Sequence, residues 1–288
     1  MKEFKGKTAV ITGAGNGFGV EFAIECAKRE MKLVLADINE EDLKRTEQVI
    51  KEMGVEVIAV PTDVSLYEEV AHLAEKTVEI FGSVDLLFNN AGVVVPGPIW
   101  EIPVKDWEWI MGVNVNGIAF GLKAFIPVML KQGTPCHIVN TASVAGLLTT
   151  PNMVAYHASK HASVALTESV AMQLEAANSK IGMSVFCPGF VQTDLHNCDR
   201  QRPERYAITS DEPYYQSPTY RAGLERAKHV ITTGIPIDSI SQSVFIAIEE
   251  ERFYILTHPQ YNLVIGKRVK EMIEGQNPDT QFFLKAKS

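Results

Sequence analysis

Apolar residues in this chain fall in short, nearly unbroken runs separated by stretches of helical period. The runs at 8–11, 32–36, 55–60 and 84–88 are rich in Val, Ile, Leu and Phe, with almost no polar alternation. Such runs predict strands buried on both faces, as in a parallel sheet covered by helices. Between them the period becomes 3.6: Phe18, Phe22, Ala23 and Cys26 share one face of a helix predicted over 17–29. Asn39 is the expected cap of a polar helix reaching 53, and Ser65 that of a helix reaching 81.

The second half continues the alternation. A largely helical stretch over 106–131, with breaks expected near Gly112 and Pro127, leads to a strand at 137–141. A long helix over 155–177, a strand at 183–187, a helix over 237–250, a strand at 253–256 and a helix over 261–274 follow. The pattern fails between 194 and 236, where Pro203, Pro213 and Pro218 stand among tyrosines and arginines, apart from a helix at 217–231. The tail 276–288 is expected to be disordered. Strand and helix alternating with right-handed crossovers predict an α/β fold, a doubly wound parallel sheet of about seven strands. No repeat or linker divides residues 1–288, so one domain is expected.

Composition narrows the partners. A net charge of −8 argues against nucleic acid or an anionic membrane surface. No apolar run is read as a membrane span, and the polar start Met1-Lys2-Glu3-Phe4 predicts no secretory leader. Cys26, Cys136, Cys187 and Cys198 lack metal-ligand spacing and fit a reducing, cytoplasmic compartment.

Candidate chemistry centres on Tyr156 and Lys160, one turn apart on one helix face, with Ser143 at the end of the strand before. A phenol is a poor base at neutral pH, and a neighbouring ammonium favours its ionised form. The expectation is therefore a Tyr156 hydroxyl shifted down toward neutrality, with Ser143 holding a substrate oxygen beside it. Tyr-x-x-x-Lys is common, so the weight lies on what accompanies it. The turn Thr12-Gly13-Ala14-Gly15-Asn16-Gly17-Phe18-Gly19 joins a strand to a helix, where helix amides can meet a phosphate. Its Gly13, Gly17 and Gly19 follow G-x-x-x-G-x-G, not G-x-G-x-x-G. Asp37, followed by Ile38 at the end of the second strand, is placed to accept from both hydroxyls of an adenosine ribose and to repel a 2′-phosphate. Asp63, followed by Val64, is either an acceptor for the adenine amino group or a simple turn residue. His157 and His161 lie one turn apart without a third ligand, so no metal is expected. Trp100, Trp107 and Trp109 read as packing residues.

Thr12-Gly-x-x-x-Gly17-x-Gly19, Asn89-Asn90-Ala91-Gly92, Asn114, Ser143 and Tyr156-x-x-x-Lys160 together resemble the short-chain dehydrogenase/reductase family, and Pro188-Gly189 and Thr193 extend the match. The resemblance covers 5–195 and, more loosely, 236–275. It implies that Tyr156 is the general acid/base and Ser143 orients the substrate oxygen. It also implies that Lys160 binds the nicotinamide ribose and lowers the Tyr156 pKa, and that Asn114 holds the water of a proton relay. Asn90, Ala91 and Gly92 would line the adenosine side of NAD, with the Val191 backbone and the Thr193 hydroxyl on the carboxamide. The helices around 113–131 and 155–177 would form the interface of a homotetramer or homodimer.

The expected activity is interconversion of a secondary alcohol and a ketone with NAD(H). The rim residues Val94, Val95, Leu147, Leu148, Met153 and Phe190 are apolar, favouring a bulky lipophilic substrate such as a hydroxysteroid or terpenoid alcohol over a polyol. A 3-oxoacyl-type or other carbonyl reductase is the alternative within that class. A cofactor-sensing regulator, which should lack the Tyr156–Lys160 pair, is the alternative outside it. Segment 195–235 is expected to be a lid over the substrate, its tyrosines forming flat walls and one arginine meeting an acidic substituent. Shortening Asn197–Tyr215 within it to a Gly/Ser link is expected to raise the substrate KM or lower turnover and to leave NAD affinity nearly unchanged.

Overall fold

A computed structural model describes residues 1–209 and 211–279; the expected tail disorder at 280–288 lies outside the described residues. Seven strands form one parallel sheet in the order β3-β2-β1-β4-β5-β6-β7. They are β1 (Thr8–Thr12), β2 (Lys32–Asp37), β3 (Val57–Pro61), β4 (Leu86–Asn89), β5 (Cys136–Thr141), β6 (Ile181–Phe186) and β7 (Tyr254–Ile255). The helices between them are α1 (Gly17–Lys28), α2 (Glu40–Glu52), α3 (Tyr67–Phe81), α4 (Val104–Met111), α5 (Gly117–Gln132) and α6 (Val154–Ala176). After β6 come α7 (Pro213–Gln216), α8 (Pro218–Thr232) and α9 (Asp238–Glu249), and α10 (Asn262–Ile273) follows β7.

The unbroken apolar runs are buried as their pattern requires: every residue of β1, β4 and β5 is buried. One face packs Trp109, Ile110, Ile118, Leu122 and Phe125 from α4 and α5. The other packs Phe22 of α1 against Phe88 at 4.5 Å, with Phe186 and Phe245 beside them. The order of strands reverses between β1 and β4, which opens a crevice at their carboxyl ends.

Several expectations change. Asn39 caps α2 by accepting from the Asp42 amide at 3.0 Å. Ser65 caps nothing: α3 begins after Leu66, and the Ser65 hydroxyl turns back to Asp63 Oδ1 at 2.7 Å. The break at Gly112 is one wide turn, Gly112–Asn116, joining α4 to α5. Pro127, by contrast, sits inside an unbroken α5. Val104–Gln132 is in fact long and apolar enough to cross a bilayer, with mean hydropathy 1.5, which corrects the reading of no such run. Part of it is buried instead against the sheet, through Trp109, Ile110, Ile118, Leu122, Phe125 and Met129.

α5 crosses β4 at Gly121, where an added Cβ would stand 2.0 Å from Asn89 Oδ1. Asn89 in turn donates to Asn140 Oδ1 at 2.8 Å, and Asn140 to Thr167 Oγ1 at 3.0 Å, tying β4, β5 and α6 by side chains. Gly121→Ala is therefore expected to lower stability by about 3 kcal/mol through overpacking and loss of this ladder. Thermal melting checks it; an unchanged midpoint would show that α5 can retreat from β4.

Candidate active site

The carboxyl ends of β1 and β4 are clamped by one hydroxyl. Thr12 Oγ1 donates to Phe88 O at 3.3 Å and accepts from the amides of Asn90 at 2.9 Å and Ala91 at 3.2 Å. The Asn90 side chain returns to Thr12 O and Gly13 O. The two banks lie so close that a Cβ on Gly13, at φ +64°, would meet Ala91 Cα at 2.8 Å. A Cβ on Gly19 would be 2.0 Å from Gly13 O, so that glycine seats α1 on the turn rather than facing the crevice. Gly17, at φ +53°, faces Thr193, whose Cβ is 3.5 Å from where its own would be.

The crevice opens into one cavity of about 610 Å³ running from Asp37 and Asp63 past Tyr156 to α8. Gly13, Asn16, Gly17, Phe18, Ile38, Val64, Asn90, Ala91 and Gly92 line it at one end, and Pro188, Gly189, Val191 and Thr193 near the middle. Ser143, Leu148, Tyr156, Lys160 and Phe190 line the other part, with Val94 and Met153 of the expected rim. Val95 does not: it is buried in the core. Leu147 packs behind the wall with Ala142 and Val164.

Asp37 is buried, each oxygen held by a backbone amide: Gly15 N on Oδ2 at 2.8 Å and Asn39 N on Oδ1 at 2.9 Å. Burial raises its pKa against those hydrogen bonds, with Asp42 also raising it and Arg200 lowering it. Asp63 is already engaged. Its Oδ1 accepts from Ser65 N and Oγ, and its Oδ2 from Arg205 Nη2 at 2.5 Å. Sequence reading gave no sign of this partner, 142 residues away.

The catalytic candidates converge, with an electrostatic surprise. Ser143 Oγ donates to Pro188 O at 3.3 Å and accepts from Ala145 N at 3.1 Å. Lys160, 3% exposed, donates from Nζ to Thr141 O at 2.9 Å and lies 5.8 Å from the Tyr156 ring centre. Burial pushes the Tyr156 hydroxyl up to about 12, with the Ser143 hydroxyl pulling it down. Burial also pushes Lys160 down to about 8. The expected lowering of the tyrosine is thus not found: burial dominates, and the Lys160 ammonium donates to the Thr141 carbonyl. Asn114 lies behind the wall, buried in the wide turn. It accepts from Val93 N at 2.8 Å and donates to Val93 O and Ser159 Oγ. A Cβ on Gly92 would be 3.5 Å from both Asn114 Oδ1 and Lys160 Nζ, so the two are neighbours.

His157 is spent on the loop before its helix: Nδ1 faces Ala145 O at 3.0 Å, and Nε2 accepts from Thr150 N at 2.9 Å. Trp109 is buried, lines the cavity and carries Arg202 3.9 Å over its ring, whereas Trp100 is 82% exposed, against its reading as a packing residue. The tyrosines of the lid region do not form cavity walls. Tyr214 donates to Pro96 O, Tyr215 to Asp106 Oδ1 and Tyr220 to Asp199 Oδ2, and the three rings pack together at about 5 Å. Small residues of α8, Thr219, Ala222 and Gly223, make the wall instead, and Gln201 and Pro203 line the cavity from the other side. No local signal marked these residues, since their roles depend on contacts across the whole fold.

Residues 7–204 match the family model described as short chain dehydrogenase. The "CLA biosynthesis dehydrogenase/reductase" of Lactiplantibacillus plantarum is 50% identical over 279 residues, 97% of each chain. A "C alpha-dehydrogenase" of Sphingobium sp. (strain NBRC 103272 / SYK-6) is 28% identical over 279 residues, 96% of this chain and 89% of that one. Among solved structures, a short chain dehydrogenase/reductase from Burkholderia phymatum in complex with NAD superposes with a TM-score of 0.94. It is 45% identical, covering 97% of this chain and 98% of that one.

The lysine carries a consequence for stability. Its folded value of about 8 lies below the ordinary 10.5, so the unfolded chain binds a proton that the folded chain tends to release. The resulting penalty is full below pH 8 and fades as pH rises toward 10.5. Lys160→Met is expected to stabilise the ligand-free protein by about 2–3 kcal/mol at pH 7, less toward pH 10. Urea melts at the two pH values measure the gap; a variant no more stable than wild type at pH 7 would show that the Thr141 carbonyl fully offsets the burial.

Proposed function

The chain belongs to the short chain dehydrogenase family, and on that premise we propose that it interconverts a secondary alcohol and a ketone with NAD(H). The observation that carries the proposal is the convergence of Ser143, Tyr156 and Lys160 on the same cavity as the Gly13–Gly17 turn and Asp37. The fit to a dinucleotide is tested by the cradle itself: side chains at Gly13 or Gly15 would collide with Ala91 or with Asp37 and Asp42. The Burkholderia phymatum relative holds NAD, which supports the same cofactor here. NAD supplies the hydride acceptor, and in its oxidised form a positive charge at the nicotinamide.

The chain's own groups do the rest. Ser143 donates to the substrate oxygen and keeps it beside the Tyr156 hydroxyl, which passes the proton. Lys160, with N–H groups to spare beyond the one on the Thr141 carbonyl, would donate to the nicotinamide ribose and, together with the positive nicotinamide, favour the phenolate. Asn114, fixed by Val93 and next to Lys160, steadies the water that relays the proton. Asp37 accepts from the ribose hydroxyls with oxygens preset by Gly15 and Asn39.

The substrate end is apolar, lined by Val94, Leu148, Met153, Phe190, Val230 and Ile231, and this supports a bulky lipophilic alcohol such as a hydroxysteroid. Of the lid arginines, Arg226 alone lines the cavity, and it has no ion pair among the described residues, so an acidic substituent has a partner there. The four free, buried cysteines accord with a cytoplasmic setting. Leu130 of α5 and Met172 of α6 are exposed in the single chain, in keeping with a homotetramer or homodimer.

Reduction of NAD⁺ followed at 340 nm over a panel of secondary alcohols tests the activity. Tyr156→Phe is expected to keep cofactor binding and lose roughly a hundredfold or more in turnover; a variant retaining a tenth of wild-type activity would remove Tyr156 from the role. For cofactor choice, Asp37 faces the ribose while Arg200 is held by Asp42 and Asp194. NAD(H) is expected to exceed NADP(H) by about tenfold or more in kcat/KM, the gap narrowing in Asp37→Ala. Equal efficiency with both cofactors in the wild type would refute that assignment.

A further inference from the structure

The chain between β6 and α9 leaves and returns through one neck, where Gln192 N donates to Ile235 O and Ile235 N to Phe190 O. Its first stretch, 194–206, does not remain at the substrate end. Cys198 Sγ meets the backbone of Val94 on one bank of the crevice. Arg200 then reaches Asp42 on the other bank at 2.6 Å, beside Asp37. Arg205 ends the crossing at Asp63 and Ser65, each at 2.5 Å. The carboxylates of Asp42 and Asp63 are buried, and Arg202 is anchored to Asp106 and Asp199. The stretch therefore bridges the two banks and lines the cavity through Leu195, Cys198, Gln201 and Pro203.

Two details point to a ligand beneath it. Asp63, the natural acceptor for an adenine amino group, is occupied by Arg205. Gln201, in contrast, lines the cavity, and its Nε2 is shielded from solvent with no hydrogen-bond partner among the described residues, so a turn of the side chain would bring that donor to an acceptor in the cavity. A shielded amide donor without an acceptor is unfavourable unless something in the cavity accepts from it. Resting on the cofactor reading above, we propose that 194–206 is the outer wall of the adenosine half of the NAD site. Gln201 donates to the adenosine diphosphate moiety, and Arg205, a positioning residue, holds the wall to Asp63. The wall must open for the cofactor to leave, so this stretch governs cofactor affinity and release, contrary to the expectation that the segment spares NAD.

The probes are ADP-ribose, titrated calorimetrically, and NADH, whose release is followed by stopped-flow fluorescence. Gln201→Met keeps the side-chain volume and removes the donor. It is expected to weaken ADP-ribose about three- to tenfold. Arg205→Ala is expected to speed NADH release by a similar factor, with Arg205→Lys recovering part of the loss. A Gln201→Met protein that binds ADP-ribose as tightly as wild type overturns the donor role, even if Arg205→Ala fails to fold. Unchanged NADH release in a folded Arg205→Ala protein overturns the wall. If wild type binds neither probe, the cofactor reading itself fails, and the wall with it.

Discussion

A parallel sheet ends in a row of backbone groups that the next loops must satisfy, and here one hydroxyl does so at the decisive place. Thr12 Oγ1 joins the ends of β1 and β4, the two strands between which the strand order reverses. With its one hydrogen used by Phe88 and its lone pairs by Asn90 and Ala91, the glycine turn and the Asn89–Gly92 loop become opposite banks at a fixed spacing. Everything in the crevice inherits that spacing: Gly13 against Ala91, Asp37 presented through Gly15, and Gly92 against Asn114 and Lys160. The position uses a hydroxyl that donates and accepts at once; a valine of equal shape would leave two partly buried amides unpaired.

Much of this was legible in the sequence because it is local. Strands buried on both faces announce themselves as unbroken apolar runs, and the turn, Asp37, Ser143, Tyr156 and Lys160 occupy fixed offsets from strand and helix ends. Boundaries slipped where local signals compete, as at Ser65, whose hydroxyl found Asp63 instead of a helix amide. Segment 194–236, apart from the helix expected at 217–231 and found as α8, was illegible for a different reason. Its order comes from Arg202 on Asp106, Arg205 on Asp63 and Tyr214 on Pro96, pairs about a hundred or more positions apart. No periodicity encodes such pairs, so the tyrosines that looked like pocket walls turned out to be fastenings.

The Tyr156–Lys160 pair shows the limit of reading electrostatics from spacing. Proximity alone implies that the ammonium lowers the phenol. Burial acts on both groups in the opposite sense, disfavouring the phenolate and the ammonium alike, and in the ligand-free chain it prevails. That arrangement burdens the folded state, as expected of groups placed for chemistry rather than for stability.

The neck at Val191 and Ile235 makes the two halves of the cavity mechanically continuous. Val191 and Thr193 line the cavity; the chain then passes along it through 194–206 and comes back along it as α8. Tyr215 and Arg202 share Asp106 Oδ1, and Tyr220 and Arg202 share Asp199, so the wall on one side and the α7–α8 region on the other are fastened to the same two carboxylates. A displacement of Arg202 cannot leave α7 and α8 untouched, because the Asp106 hydrogen bonds serve both. The α7–α8 region and the 194–206 stretch are thus held in place together, through one arginine with a buried side chain stacked on Trp109.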